Sequence, residues 1–462
     1  MIVKKNIVVI GAGSASFGLS TLGAILRTAE LEGSELRLID KSEEGLETIA
    51  KLAEKANKEW GTGFTIKSSP NRKELLKDAD FIIASIAVDR EKTWAMDREL
   101  GLKYNINHYA ENGGPGGFMH TARNVAQFMP IFSDIKELAP NALLLNFTNP
   151  VPRVSRLAHH YYGINTVGIC HQITFGYMQM GVILSDILGI EVPENYSFRW
   201  FDEFENHRTY TIGEKAMEKV QIKAAGINHF TWMLSLNERN TGEDLYPIFR
   251  ERLKTHNPEF EPFSRALYNT FQLYPITGDN HLIEYLPYTH NVNRKTWERY
   301  DIQMYSFIGA GELRDKMWDD IHAMISGDKS IDLLKGLHSE HAEEIIAAII
   351  ADKGMKDDAV NIPNKGFISN LSDNSIVEVP GIIDASGING EKVGELPEPI
   401  AELCRRDIKI AELTVDSVYY GDRELALQVL SLDPMIDDLD VAEKMLNEFL
   451  ENQKKYLPQF YR

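Results

Sequence analysis

Two cysteines in 462 residues, Cys170 and Cys404, exclude a disulfide framework. No run approaches the roughly eighteen apolar residues needed to span a bilayer, which excludes a membrane-crossing helix. Clustered basic charge is also missing: 49 Lys and Arg stand against 68 Asp and Glu, for a net charge of −19. Nucleic acid is therefore not an expected partner, because phosphate contacts need grouped cations. Met1-Ile2-Val3-Lys4-Lys5 leads straight into an apolar strand and lacks the features of a secretory signal. The expectation is a cytoplasmic protein with no membrane partner, in a reducing compartment where Cys170 is free to act as a thiolate.

What is present is an ordinary globular composition, 43% hydrophobic and 25% charged. One hydrophobic core rarely serves a chain of this length, so two domains are expected. The chain is organised around Thr166-Val167-Gly168-Ile169-Cys170-His171, an apolar run ending in a thiol and an imidazole. Gly226-Ile227-Asn228-His229 follows about sixty residues later, and the two stretches together offer a sulfur and a nitrogen ligand to one divalent metal. Alone, Cys170 reads as a buried small hydrophobe and His229 as a satisfied core histidine; their pairing favours the metal.

The N-terminal half opens on a β-branched strand, residues 6–10, that meets Gly11-Ala12-Gly13-Ser14-Ala15-Ser16 and then a helix over 17–28. Strand, glycine turn and helix make the phosphate-binding opening of a Rossmann unit, with Gly11 forming the turn and Gly13 allowing close approach of a pyrophosphate. A second strand, 35–40, ends in Asp40, placed to bind ribose hydroxyls and so to favour NAD over NADP. Apolar runs at 80–87, 142–147 and 165–169 alternate with helices at 42–60 and 121–138, which predicts an α/β fold with a doubly wound parallel sheet. Ligands bind such sheets at the strands' carboxyl ends, here Val88-Asp89-Arg90, Thr148-Asn149-Pro150 and Cys170-His171. Glycine-rich 111–118 reads as a loop. The texture changes near 195, so residues 1–195 are expected to form the NAD-binding domain and 196–462 a second, mixed α+β domain. Strand-like pieces at 196–201, 208–212 and 220–226 begin that domain, and 275–285 concentrates titratable side chains. Helical periodicity covers 337–351, 402–432 and 441–456.

The ordered set Gly11-Ala12-Gly13-Ser14, Gly114-Pro115-Gly116-Gly117, Thr148-Asn149-Pro150, Cys170-His171, Gly226-Ile227-Asn228-His229, Asn361-Ile362-Pro363-Asn364-Lys365-Gly366 and Val377-Glu378-Val379-Pro380 resembles glycoside hydrolase family 4, the NAD- and metal-dependent glycosidases. The resemblance implies a second domain like the C-terminal domain of lactate and malate dehydrogenases. It also implies NAD bound through Gly11, Gly13, Ser14, Ser16 and Asp40, and Mn²⁺ or another divalent metal on Cys170 and His229. Asn149 and His171 would contact sugar hydroxyls. Asp279 falls where α-specific members carry an acid/base carboxylate, and Tyr285 near a tyrosine base, with Glu284 as the alternative alignment. The implied chemistry oxidises C3 of the sugar, removes the C2 proton, eliminates the aglycone, adds water and returns the hydride. Two departures stand out, Ser16 for the last glycine and Val88-Asp89-Arg90 for a glycine pair. Phospho-sugar members follow the cysteine with Asn and a nearby Pro, whereas Cys170 is followed by His171-Gln172-Ile173-Thr174, so an unphosphorylated small-molecule α-glycoside is expected. Arg90 and Arg294 offer recognition of an anionic C6 group, in a uronide or sulfoquinovoside. The active form would be a homodimer or homotetramer. The rival readings are an NAD-dependent 2-hydroxy-acid dehydrogenase, which needs no Cys/His pair, and a non-catalytic NAD-binding regulator.

Overall fold

The computed structural model describes residues 4–107, 111–194, 196–197, 203–302 and 305–462. Six strands, β1 (Asn6–Ile10), β2 (Glu35–Ile39), β3 (Thr65–Ser69), β4 (Phe81–Ala84), β5 (Leu143–Asn146) and β6 (Thr166–Gly168), pair in parallel in the order β3-β2-β1-β4-β5-β6. That is the strand order of a dinucleotide-binding sheet. β1 shows why it is buried on both faces. Ile7 and Val9 enter one cluster with Leu46, Ile49 and Leu52 of the helix Glu43–Trp60, while Val8 and Ile10 enter another with Phe118, Val125 and Phe128 of the helix Gly114–Leu138. Successive strand side chains point to opposite faces, so a continuous apolar run demands a layer on each side. The sequence Thr-Ile-Lys-Ser-Ser of β3 has too little apolar character to signal a strand; it forms the exposed edge.

The sheet does not stop at β6. β7 (Val220–Ile227), β8 (Phe230–Glu238), β9 (Tyr274–Pro275), β10 (Met355–Pro363), β11 (Ile376–Asp384) and β12 (Gly387–Gly390) extend it antiparallel, in the order β6-β10-β11-β7-β8-β9 with β12 on β11. One sheet thus runs across the expected division between 1–195 and 196–462. The last helices, Glu398–Tyr420, Arg423–Leu432 and Leu439–Asn452, return to the first half: Val415, Val418, Val429 and Phe449 share the cluster that holds Val8 and Ile10.

Several local expectations are revised. The glycine-rich stretch is not a loop throughout, because the helix Gly114–Leu138 begins inside it, with Pro115 at a first-turn position that needs no N–H. The glycines serve packing there: a Cβ on Gly113 would lie 2.1 Å from the carbonyl oxygen of Glu284. Residues 208–212 belong to the helix Glu203–Lys219 rather than to a strand, and most of the strand expected over 196–201 lies outside the described residues. The helix expected over 402–432 is broken at Gly421, which takes φ +67 and ends Glu398–Tyr420. Among the described residues no helix is long and apolar enough to cross a membrane.

Candidate active site

A cavity of about 990 Å³ opens at the carboxyl ends of β1, β2, β4, β5 and β6, where a doubly wound sheet is expected to bind its ligand. Gly11, Ser14, Ser16 and Asp40 line one half. Gly11 holds φ +94, and a Cβ there would lie 1.9 Å from the carbonyl oxygen of Ser85, so only glycine fits this turn. The Asp40 carboxylate is aimed by two backbone donors, Gly13 N–H to Oδ2 and Ser42 N–H to Oδ1, both at 2.9 Å. Gly13 itself is absent from the lining and acts behind Asp40; a Cβ on it would lie 2.9 Å from Asp40 Cγ. A glycine cradle ending on an oriented acid fits the adenosine half of a dinucleotide.

The other half gathers Arg90, Glu111, Asn149, Cys170, His171, His229, His281 and Glu340. Cys170 and His171 lie just past β6, after Ile169, and His229 sits in the two-residue turn between β7 and β8, with φ +62. A non-glycine residue in that conformation is strained, as side chains held at functional sites often are. Cys170 Sγ approaches His229 Nε2 to 3.2 Å. Glu111, His281 and Glu284 bring ligand atoms that lie with a His229 nitrogen within 4.8 Å of one another. Burial pushes the Cys170 thiol well up and the His229 imidazole well down, the latter aided by the neighbouring His281. Both donors are therefore uncharged at neutral pH, and a bound cation is what would convert the thiol to a thiolate. The Asn112 amide lies 2.8 Å from His229 Nδ1, and its Oδ1 has no partner among the described residues. The amide's Nδ2 also donates to Glu284 Oε2 (3.3 Å), so Asn112 links the His229 ring to that carboxyl. This donor set fits a divalent cation.

His171 donates from Nδ1 to Glu340 Oε1 (2.6 Å), and Glu340 Oε2 also accepts from the His171 backbone N–H (3.1 Å). Burial alone would favour neutral partners, but the mutual charge and hydrogen bonds outweigh it, raising the imidazole and lowering the carboxyl. Asn149, joined to Pro150 by a cis peptide, donates from Nδ2 to Glu111 Oε1 (2.7 Å), and its buried Oδ1 has no partner among the described residues. Arg90 lies over the Trp94 ring at 4.3 Å, with Nη2 3.7 Å from Glu111 Oε1. Burial, then the charge of Glu284, pushes Glu111 up; burial pushes Glu284 up to about 8 and His281 down to about 4.

Three residues singled out from the sequence lie elsewhere. Asp279 does not line the cavity; its carboxylate accepts from Phe263 N–H (2.8 Å), Ser264 N–H (2.7 Å) and Ser264 Oγ (2.6 Å), at the start of the helix Pro262–Phe271. Tyr285 turns away and donates its hydroxyl to the Asn228 carbonyl (2.7 Å). Arg294 is exposed at the surface, outside the cavity lining. Conversely, sequence reasoning gave no role to Glu111, Asn112 or Glu340. Their partners are remote in sequence, 169 residues for Glu340 and His171, so no local spacing announces them. His281 and Tyr285, four apart, would share one face of a helix, which packing explains as readily as catalysis, but the short helix Asp279–Leu282 ends before Tyr285 and the two point apart.

The family model described as family 4 glycosyl hydrolase matches residues 6–185, and that of the family 4 glycosyl hydrolase C-terminal domain matches 224–436. An α-glucosidase of Erwinia rhapontici is 27% identical over 98% of this chain and 99% of its own. Among solved structures, the putative glucosidase lplD of Bacillus subtilis superposes with a TM-score of 0.81 at 24% identity, covering 97% of this chain and 100% of that one. A 6-phospho-α-glucosidase from gut microorganisms, in complex with NAD and Mn²⁺, does so with a TM-score of 0.79 at 20% identity, covering 99% and 100%. These two share the fold.

Proposed function

The chain belongs to family 4 of the glycosyl hydrolases, and from that premise we propose that it hydrolyses a terminal, unphosphorylated α-glycoside with the help of NAD and a divalent cation, Mn²⁺. The observation that carries the reading is the approach of Cys170 Sγ to His229 Nε2, 3.2 Å, in the same cavity that the Gly11 turn and Asp40 open. A protein of the same fold holds NAD and Mn²⁺ together, and an α-glucosidase is a relative over nearly the whole chain.

When bound, NAD supplies a hydride acceptor that later returns the hydride, and the cation a Lewis acid for negative charge on sugar oxygens. The chain's own residues do the remaining work. Asp40 accepts from the cofactor's ribose hydroxyls, and the turn Gly11 to Ser14, with Ser16 behind it, admits the pyrophosphate. Cys170 and His229 hold the cation. Asn149 Oδ1, without a partner among the described residues, accepts from a sugar hydroxyl, and the Glu340 carboxylate holds His171 through Nδ1, which leaves Nε2 for the substrate. Glu111 is the carboxyl we assign to proton transfer at the sugar. It lines the cavity, and burial raises its proton affinity toward the range a general base needs. Asp279 and Tyr285, the acid and the phenol that the sequence offered for this step, hold backbone instead. Arg90, flattened on Trp94 at the cavity wall, is assigned to an anionic C6 group such as a carboxylate or sulfonate.

The test is hydrolysis of p-nitrophenyl α-glycosides (galactoside, glucoside, glucuronide, galacturonide, sulfoquinovoside) under reducing conditions, with NAD or Mn²⁺ omitted in turn and with Cys170→Ser. Cleavage of one sugar that needs both additions and the thiol is expected, with an anionic sugar preferred and the preference lost in Arg90→Gln. Cleavage indifferent to NAD sinks the proposal, and steady NADH accumulation on a hydroxy acid without glycoside cleavage establishes the dehydrogenase in its place.

A further inference from the structure

Glu378 is a buried carboxylate for which the chemistry above has no use. It is 2% exposed, and among the described residues no ion pair involves it. It belongs to a row of four residues across the sheet: Gly168 of β6 opposite Asn361 of β10, Asn361 opposite Glu378 of β11, and Glu378 opposite Gly226 of β7. The joint β6–β10, where the parallel half meets the antiparallel half, and the joint β11–β7 within the antiparallel half consist of one such pair each. Glycine ends the row on both sides. A Cβ on Gly168 would lie 2.2 Å from Val151 Cγ1 and 3.0 Å from Asn361 Cβ, and one on Gly226 2.4 Å from the Phe230 carbonyl oxygen.

Glu378 Oε2 accepts from Asn228 Nδ2 (2.8 Å) and from Asn361 Nδ2 (3.0 Å). Asn228 directly precedes His229 in the turn between β7 and β8. One carboxylate therefore holds both Asn228, next to His229, and Asn361, which pairs across the sheet with Gly168, two residues before Cys170. For packing alone, an apolar residue of similar volume would fill this row at lower cost than a carboxylate without a cation. What only the carboxylate supplies is a strong acceptor that locks the rotation of the Asn228 amide.

We propose that Glu378, acting through Asn228, is a positioning residue that sets where His229 Nε2 presents itself, beside Cys170 Sγ, to the cation. The proposal rests on the metal reading of that pair. Strain in the turn, His229 at φ +62, makes such a hold necessary, because the turn would otherwise relax toward a conformation that points the ring elsewhere.

The probe is Mn²⁺ itself, titrated calorimetrically into the full-length chain under reducing conditions, with Co²⁺ as a second ion whose thiolate charge-transfer absorption reports the Cys170 bond. Glu378→Ala is expected to weaken Mn²⁺ binding about 10- to 100-fold, the usual effect of removing an outer partner of a ligand, and to shift or abolish the Co²⁺–thiolate band. Glu378→Gln keeps an acceptor for Asn228 Nδ2 and restores most of the affinity. Asn228→Ala loses a similar factor, and the Glu378→Ala/Asn228→Ala double variant loses no more than either alone. Folded Glu378→Ala, judged by near-ultraviolet dichroism, with parental Mn²⁺ affinity and Co²⁺ spectrum overturns the proposal, as do additive losses in the double variant. If Glu378→Ala does not fold, Asn228→Ala decides, since unchanged affinity there overturns the proposal equally. Cys170→Ser separates the premise: Mn²⁺ binding that survives it removes the metal from this pair, whatever Glu378 does.

Discussion

Replacing Asp279 distinguishes an acid that reacts from an acid that holds backbone. The carboxylate accepts three hydrogen bonds, two of them from the first N–H groups of the helix Pro262–Phe271. A hydrogen bond to a charged group contributes about 1.5–3 kcal/mol and a helix cap about 1 kcal/mol. The sum is offset because burial pushes the acid up and because the Glu261 carboxyl, which accepts from the Asp279 N–H at 2.6 Å, lies alongside. A net loss of about 2–4 kcal/mol is expected for Asp279→Ala, and about half of that for Asp279→Asn, which keeps one acceptor oxygen. At about 2 °C per kcal/mol for a long chain, the melting temperature of the alanine variant falls by about 4–8 °C. Scanning fluorimetry measures the fall, and glycoside hydrolysis well below the transition measures what the folded fraction can do. The folded variant retains kcat within about tenfold, whereas Glu111→Gln melts like the parent and loses about 10²- to 10⁴-fold in kcat, the range for a missing general base. An Asp279→Asn protein that melts like the parent but has lost its activity refutes this reasoning and returns the proton to Asp279.

Asp407 gives a pH-dependent prediction. It is buried beside Arg406, and burial pushes its carboxyl up to about 7, so between about pH 4 and pH 7 the folded chain keeps a proton that the unfolded chain has released. The stability from this group is complete below the unfolded value near 4 and is lost as pH rises through about 7, by at most about 4 kcal/mol. Asp407→Asn should therefore melt higher relative to the parent at pH 8 than at pH 5; parallel melting curves at the two pH values contradict it. Gly11→Ala places a methyl 1.9 Å from the Ser85 carbonyl oxygen at φ +94, and calorimetric titration should find NAD binding weakened at least about tenfold, since both the clash and the backbone strain oppose the turn. Unaltered NAD affinity would place the cofactor away from this turn.

How far the sequence was legible follows from the range of the interactions involved. β1, the Gly11 turn and Asp40 were readable because strand, turn and acid lie within forty residues and their geometry is set by local backbone. The alternation of apolar runs and helices pointed to a parallel sheet, but not to its strand order, and β3, with Thr-Ile-Lys-Ser-Ser at an exposed edge, carried no apolar signal. Gly113 was misread for a definite reason. Glycine-rich sequence marks both flexible loops and places where backbones press together, and only the approach of Glu284 decides between them. Residues 208–212 look β-branched and aromatic, yet they pack as helix against Gln172–Ile183: a Cβ on Gly213 would lie 2.9 Å from Thr174 Cγ2. Tertiary contact overrides weak β propensity in that way. Cys170 and His229, 59 residues apart, were paired by their chemistry and meet at 3.2 Å. Glu340 had no comparable mark, because a lone glutamate before a helix reads as a solvated cap.

Residues 279–285 show where legibility ends. The stretch was singled out for its titratable side chains, and it does border the cavity, but its members divide by direction. His281 faces the cavity and Glu284 approaches its nitrogen to 3.2 Å, while Asp279 points back to the helix Pro262–Phe271 and the Tyr285 hydroxyl reaches the Asn228 carbonyl. A four-residue helix followed by turns turns neighbouring side chains in different directions without a fixed period, so spacing cannot assign them. The division also has a physical logic. A strained turn holding His229 needs rigid anchors, and an anchor that also exchanged protons with substrate would change its own hydrogen bonds during turnover. Tyr285 suits anchoring because its phenol, pushed well up first by burial and then by Glu284, stays protonated and keeps donating to Asn228 across the working pH range. Glu111, the carboxyl assigned to proton transfer, comes from a different segment altogether, so that assignment leaves Tyr285 free to anchor the turn.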